Sequence, residues 1–219
     1  MEKRQLIVGL SSKARCGKNT FSGYLVDIFE KEYNIKFIEI AFADALKSMC
    51  KDHFGLSTWQ VYGDEKEIPD KRYPRPTKPY CEGLGKSELP YSSWTPREIM
   101  QELGSFYRKI DNDFWVKALD ERIKELDNPN VIITDVRHVN ECEYVKNNGI
   151  LIRITRKNAD KIHGMSHESE TALDDKPVDY FDITISNSGT LDDLKKVARD
   201  TVFAIIKINN LKGGTVYNG

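Results

Sequence analysis

The chain has 219 residues, with 39% hydrophobic and 31% charged positions, enough apolar material for a buried core without disulfide or metal staples. Thirty-three basic residues against 34 acidic ones give a formal charge of −1, which speaks against a protein that wraps a nucleic-acid polymer. No stretch approaches the length and apolarity of a membrane helix, and Met1-Glu2-Lys3-Arg4 precedes a strand-like run rather than a signal-peptide core, so a cytoplasmic protein is expected.

In chain order, Leu6–Leu10 is a short apolar run of the kind found in a strand covered on both faces. Phe21, Tyr24, Leu25, Ile28 and Phe29 then recur at helical spacing. A second strand is predicted at Phe37–Phe42, followed by a helix through Leu46 and Met49. The stretch from Asp64 to Pro96 interrupts this rhythm. It holds six of the eight prolines and reads as a functional flap. Thr95-Pro96-Arg97-Glu98 is a capping box with proline at the first helical position. The helix behind it directs Ile99, Met100, Leu103 and Phe106 inward, and a further helix follows with Phe114, Trp115, Ala118, Leu119 and Ile123 inward. Strands are predicted at Val131–Thr134, Ile150–Ile152 and Ile183–Ile185, with a helix around Cys142 and Val145. A last helix starts at Thr190, and a frayed tail is expected over 209–219. Alternating strands and helices predict an α/β fold, a five-stranded parallel sheet flanked by helices.

Ser12-Lys13-Ala14-Arg15-Cys16-Gly17-Lys18-Asn19-Thr20 lies between the first strand and first helix. A phosphate cradle needs that context: backbone N–H groups and a helix N-terminus face the anion, and a lysine reaches the outer phosphates. Against the pattern G-x-x-x-x-G-K-[ST], Ser12 replaces the first glycine and Asn19 the hydroxyl residue, with Thr20 one place later. Asn19 implies that Mg²⁺ is held mainly through water and phosphates. The four cysteines (Cys16, Cys50, Cys81, Cys142) and four histidines show no metal-ligand spacing, and reduced thiols are expected. Cys16 is either a reactive thiolate in a positive setting or a small residue filling space.

Asp135-Val136-Arg137 falls at the carboxyl end of the third strand, where open α/β sheets bind ligands. Asp135 could steer metal-bound water or a substrate hydroxyl, and Arg137 could fork onto a phosphate. The alternative is an ion pair between them, with Asn140 as a cap. Asp44 and Lys47 follow the second strand, again on the ligand edge; Asp44 reads equally well as a helix cap, and Lys47 as a solvated surface charge. Arg153, Arg156, Lys157, Lys161, His163 and His167 form a basic segment suited to a lid over approximately 155–170. Arg72, Gln101 and Arg108 flank the flap, placed at approximately 57–108. Trp59, Tyr62, Tyr107 and Trp115 could stack on a base or simply fill core.

Taken in order, the Gly17-Lys18-Asn19-Thr20 loop, Phe42–Lys47, Gln101-Glu102-Leu103-Gly104 with Arg108, Asp111–Val116, Asp135–Glu141 and His167–Glu170 resemble the deoxynucleoside monophosphate kinases of tailed bacteriophages. The resemblance runs over nearly all of 1–219 and implies a single P-loop kinase domain with an acceptor-binding flap and a lid. It implies ATP as donor, deoxynucleoside monophosphates as acceptors, Mg²⁺ and a homodimer, in the host-cell cytoplasm if the gene is a phage's. Carried over by position, Arg15, Gly17, Lys18, Asn19 and Thr20 would hold ATP. Asp44, Lys47, Arg72, Gln101, Arg108, Asp135 and Arg137 would surround the acceptor, and Arg153 and Arg156 would belong to the lid. Lys18, Arg137 and Arg156 would serve the transfer itself. Cys16 stands where these relatives commonly have serine. Rival readings are a nucleotide sensor without turnover, or another P-loop kinase of small or polynucleotide substrates. A P-loop GTPase is disfavoured by the lack of an N-K-x-D sequence.

Overall fold

The apolar runs sort their side chains to two faces, and this alternation organises the molecule. The structure, a computed structural model, describes residues 5–13, 15–76, 91–157 and 172–211. In chain order its elements are β1 (Ile7–Ser12), α1 (Lys18–Tyr33), β2 (Ile38–Ile40), α2 (Ala43–Phe54), α3 (Thr58–Tyr62), β3 (Pro74–Pro76), β4 (Tyr91–Ser93), α4 (Pro96–Ile110), α5 (Phe114–Glu125), β5 (Val131–Val136), α6 (Val139–Asn148), β6 (Ile150–Thr155), β7 (Ile183–Ser186) and α7 (Leu191–Leu211). They form two compact units, Met1–Phe42 with Val116–Gly219, and Ala43–Trp115.

The first unit is a five-stranded sheet in the order β2-β5-β1-β6-β7, every pair parallel. Val8, Leu10, Ile132, Ile150, Ile152 and Ile154 point to one face, against Phe21, Leu25, Ile28 and Phe29 of α1 and Leu194, Ala198, Val202 and Ile205 of α7. Ile7, Val131, Ile133, Val136 and Leu151 point to the other, against Leu119 and Ile123 of α5 and Cys142 and Val145 of α6. Each fully buried aliphatic side chain stabilises the fold by about 1.5–3 kcal/mol. The sheet with helices on both faces is the fold class expected from the sequence.

Several boundaries differ from expectation. β2 forms only over Ile38–Ile40 because the Phe42 N–H leaves the ladder for Asp135 Oδ1, at 2.7 Å. β5 and β6 run further than their apolar runs, so Asp135 and Arg153 lie within strands. α1 ends on Asn34 in left-handed conformation, with the Ile35 N–H returning to the Phe29 carbonyl at 3.0 Å. α7 continues to Leu211 with Asn209 buried, so 209–211 is helix and not frayed. Residues 212–219 lie outside the described residues.

The Ala43–Trp115 unit has its own smaller core of Cys50, Leu56, Val61 and Ile99, with Leu46, Phe54, Tyr73, Trp94, Met100 and Leu103 against it. Phe106, expected inward, is 55% exposed. The Thr95–Glu98 capping box forms at α4, and Ser57 with Gln60 makes another at α3. Within the proline-rich stretch β3 and β4 pair as an antiparallel ribbon. Prolines are tolerated there because both strands are edges. Residues 77–90, including Cys81, lie outside the described residues.

Candidate active site

β1 stops at Ser12 and α1 opens at Lys18, leaving residues 13–17 for the turn. Arg15 (φ 59°) and Gly17 (φ 81°) both adopt left-handed backbone. Such alternation directs successive peptide N–H groups into one concavity, which suits an anion. Gly17 is the N-cap residue of α1, and no side chain among the described residues caps the helix. Its first-turn N–H groups and positive end therefore remain available to a ligand. Asn19, Thr20 and Arg15 are exposed, while Lys18 is half-buried.

Burial pushes the Lys18 ammonium down to about 8, and the Arg137 guanidinium presses the same way, with Asp135, Cys16 and Glu141 pulling it back up. The fold thus brings Lys18, Arg137 and Asp135 together, as their separate motifs suggested. Asp135 is anchored through the Phe42 N–H. Glu141 is 2% exposed and accepts from the N–H groups of Arg137 and His138, at 2.7 and 3.0 Å. It therefore fixes the turn that presents Arg137 and starts α6. Among the described residues no three His, Cys, Asp or Glu side chains cluster to hold a metal. With Glu141 committed to backbone and Asp135 to Phe42, the donor set fits a hard cation brought in by phosphates and water, with Asn19, Thr20 and Asp135 as its polar surroundings.

Arg153 is not in a lid segment. It sits on β6, donates from Nη1 to Ser11 Oγ at 2.9 Å and faces Asp174 at 3.8 Å. Asp174 also pairs with Lys13 at 3.0 Å, so one carboxylate ties both cations beside the loop. Arg156 is exposed, and its Nη1 donates to the Arg15 carbonyl at 3.3 Å, which places it on the loop between β1 and α1. The rest of the expected lid, with Lys161, His163 and His167, lies outside the described residues, as does Ala14. Cys16 is 2% exposed and packs in the core with Leu10 and Phe21, which favours the space-filling reading over the reactive one.

In the Ala43–Trp115 unit, Asp44 and Lys47 share the start of α2. Lys47 Nζ is 3.7 Å from Asp44 Oδ1 and 4.3 Å from the centre of the Tyr62 ring, and the Tyr62 hydroxyl lies 3.5 Å from the same Oδ1. Gln101 and Arg108 lie seven residues apart on α4, hence on one face. Gly104 between them leaves space that Leu46 and Arg108 occupy, both 3.4 Å from where a Cβ would be. Arg72 is the exception. Its Nε and Nη2 chelate Asp70 at 3.0 and 2.6 Å, Nη1 donates to the Gly55 carbonyl at 3.0 Å, and Nη2 to Gln60 at 3.3 Å. The guanidinium is a clasp within this unit, with little left to give an acceptor.

Sequence reasoning missed Asp70, Asp174 and Asn187. Neither Asp70 nor Asp174 carries a motif: Asp174 meets the distant Lys13 and Arg153, and Asp70 joins Arg72, two residues on, to Gln60 of α3. Asn187 follows the last strand at the carboxyl edge of the sheet, a position that alone marks it as worth testing.

A family model for deoxynucleotide monophosphate kinase matches residues 81–197. A protein of Acanthamoeba polyphaga mimivirus named "Putative deoxynucleotide monophosphate kinase" is 29% identical over 204 residues, covering 86% of this chain and 91% of that protein. Shikimate kinase from Aquifex aeolicus aligns with a TM-score of 0.42 at 14% identity, covering 94% of this chain and 99% of its own. Shikimate kinase from Bacteroides thetaiotaomicron aligns at 0.39 and 10%, covering 90% and 98%. With more than half its length matched by the family model, the chain belongs to the deoxynucleotide monophosphate kinase family.

Proposed function

We propose that the protein transfers the terminal phosphoryl group of ATP to a deoxynucleoside monophosphate, yielding the diphosphate and ADP. The observation that carries this reading is the half-buried Lys18 at the open end of α1, behind left-handed Gly17 and beside Arg137. Two cations pressed together in a poorly solvated corner are relieved by an anion, and a phosphate is the anion that an N–H nest accepts.

The acceptor phosphate is itself the nucleophile, so no general base is required. The residues have to orient two mutually repelling anions and offset charge on the group in flight. Lys18 and Arg137 serve the transferring group, and Arg15, Gly17, Asn19 and Thr20 hold the donor. Mg²⁺ would enter with ATP and neutralise phosphate charge near Asn19, Thr20 and Asp135. In the other unit Asp44, Lys47, Gln101 and Arg108 are the acceptor candidates, with Tyr62 added by its contacts to Lys47 and Asp44. Arg72 supports that unit rather than the substrate. A homodimer, as the family resemblance implies, is part of this proposal.

The test is ADP release over a panel of ribo- and deoxyribonucleoside monophosphates, with a no-acceptor control. Acceptor-dependent release with a deoxynucleotide is the expected result. ATP binding without any acceptor-dependent turnover would favour the sensor reading instead.

A further inference from the structure

Among residues that no motif singled out, Asn187 makes the most telling contact with the loop. It is 9% exposed, follows β7, and its side-chain Nδ2 donates to the Cys16 carbonyl at 2.8 Å in a buried setting. Only the amide nitrogen can face a carbonyl, so the orientation of that side chain is chemically fixed. Its base is rigid as well: the Asn187 N–H donates to the Thr155 carbonyl at 2.7 Å, and Thr155 Oγ1 donates to the Ile185 carbonyl at 3.0 Å. The sheet edge itself therefore holds the amide in place.

The consequence lies one atom further on. All described peptide bonds are trans, and across a trans peptide the carbonyl and the following N–H point in opposite directions. A Cys16 carbonyl held toward Asn187 turns the Gly17 N–H to the opposite side, away from the protein edge that Asn187 occupies. A Cβ on residue 17 would come within 2.2 Å of Asn187 Nδ2, on a backbone already at φ 81°. The amide therefore fills the space next to residue 17 and sets the direction of its peptide. A second strut comes from the residues just past β6, where Arg156 donates to the Arg15 carbonyl and the Lys157 N–H donates to Ser188 Oγ at 3.1 Å.

We propose that Asn187 is a positioning residue for phosphoryl transfer: its buried amide locks the Cys16–Gly17 peptide so that the Gly17 N–H is held ready for the donor's phosphates. This rests on the reading of residues 12–20 as a phosphate cradle. Asn187 touches the loop through the Cys16 carbonyl, and in this proposal it acts through backbone geometry.

The test is ADP binding by calorimetry, with steady-state KM values and melting curves, for the native protein, Asn187→Ala, Asn187→Asp and Lys18→Ala. Asn187→Ala should raise the ADP Kd and the KM for ATP about tenfold, the scale of one buried hydrogen bond. The KM for the acceptor should stay within twofold. Asn187→Asp keeps the shape but sets a carboxylate against a carbonyl near phosphates, and should lose more. An ADP Kd within twofold of native in Asn187→Ala, or an equal rise in both KM values, would overturn the proposal, the latter marking general loosening. If Asn187→Ala does not fold, Asn187→Asp carries the same comparison. Failure of both to fold would make Asn187 a residue of the core alone and overturn the proposal. Loss of ADP binding in Lys18→Ala, with Asn187→Ala unaffected, would sink this inference while leaving the cradle standing. Native-like ADP binding in Lys18→Ala would remove the cradle and this inference together.

Discussion

The two units of the chain are held by different physics. In the sheet unit, rows of Val, Ile and Leu are covered on both faces, and the candidate site residues sit at strand ends and one helix start. The Ala43–Trp115 unit has a smaller core and leans on polar stitching: Arg72 on Asp70 and Gln60, Arg75 on Glu98 at 2.8 Å, and the Trp115 indole N–H on the Gly104 carbonyl at 3.1 Å. Arg75 also lies 4.3 Å from the Trp94 ring centre. A unit built this way should respond to pH and salt, whereas the loop on the sheet should respond to changes in backbone direction and charge.

The sharpest way to break this contrast is at Lys18. Lys18→Ala should lower kcat by a factor on the order of 10² or more, the scale of losing one preorganised charge. Its effect on stability should have the opposite sign. A lysine whose folded-state value is depressed to about 8 disfavours the fold while charged, and that penalty fades as pH rises from about 8 towards its ordinary value. Lys18→Ala should therefore melt no lower than the native protein at pH 7. The same depression predicts that kcat/KM for ATP declines above about pH 8, as the charge is lost, and that Lys18→Arg abolishes this limb. A drop in melting temperature with unchanged turnover would mean the residue serves the fold.

Arg137 should come next in size. Lys18 and Arg137 already repel each other, so a phosphate held between them, as proposed above, has to be gripped by geometry as much as by charge. Arg137→Lys keeps the charge but loses the planar fork, and should cut kcat/KM for the acceptor about tenfold or more. Binding of ATP alone should change less than twofold. An equal loss of ATP affinity would move Arg137 to the donor side.

Asp70 tests the other unit. Its carboxyl is held well below the usual carboxylate range by the Arg72 side chain, with the Arg72 N–H and Gln60 adding to it. A depressed carboxylate contributes stability that is present above its unfolded value, near 4, and lost as pH falls through the folded one. Asp70→Asn should lower the melting temperature at pH 7 by about 2–6 °C, as for one or two hydrogen bonds in a chain of this size. It should also flatten the decline below about pH 4. An unchanged acid limb would show that the clasp carries no stability.

These differences also account for what was legible in the sequence. The sheet strands were readable because each is a local apolar run, and the loop because its spacing lies within one strand–turn–helix segment. Arg72, expected at the acceptor from the family resemblance, has its guanidinium engaged by Asp70, Gln60 and Gly55, and the last two are brought in only by folding. The β3–β4 ribbon was hidden because Pro74 and Pro76 read as breaks. Phe106 was placed inward because helical periodicity defines a stripe without saying how far along the helix the neighbouring layer extends. Asn187 has no local pattern at all, and its importance appears only when β7 is paired with β6.

Cys16 gives the smallest expected effect. By sequence it sits among Lys13, Arg15 and Lys18 at a helix start, a setting that favours a reactive thiolate. The fold turns its side chain into the apolar layer with Leu10 and Phe21, while its carbonyl is held by Asn187. Reactivity needs access as well as a low proton affinity, and 2% exposure denies it. An alkylating reagent should therefore modify Cys16 in the folded protein no faster than buried Cys50 and Cys142, while all react promptly in denaturant. Saturating ATP should leave the Cys16 rate unchanged, because the barrier is the opening of the core and not competition for a phosphate site. Cys16→Ser should retain activity within about twofold and lose a few degrees of melting temperature, since a buried hydroxyl costs more to desolvate than a thiol. Peptide mapping after timed alkylation reads this directly. Fast labelling of Cys16 that ATP suppresses would show the loop open in solution, and would put the Cys16 thiol back on the ligand side of the sheet unit.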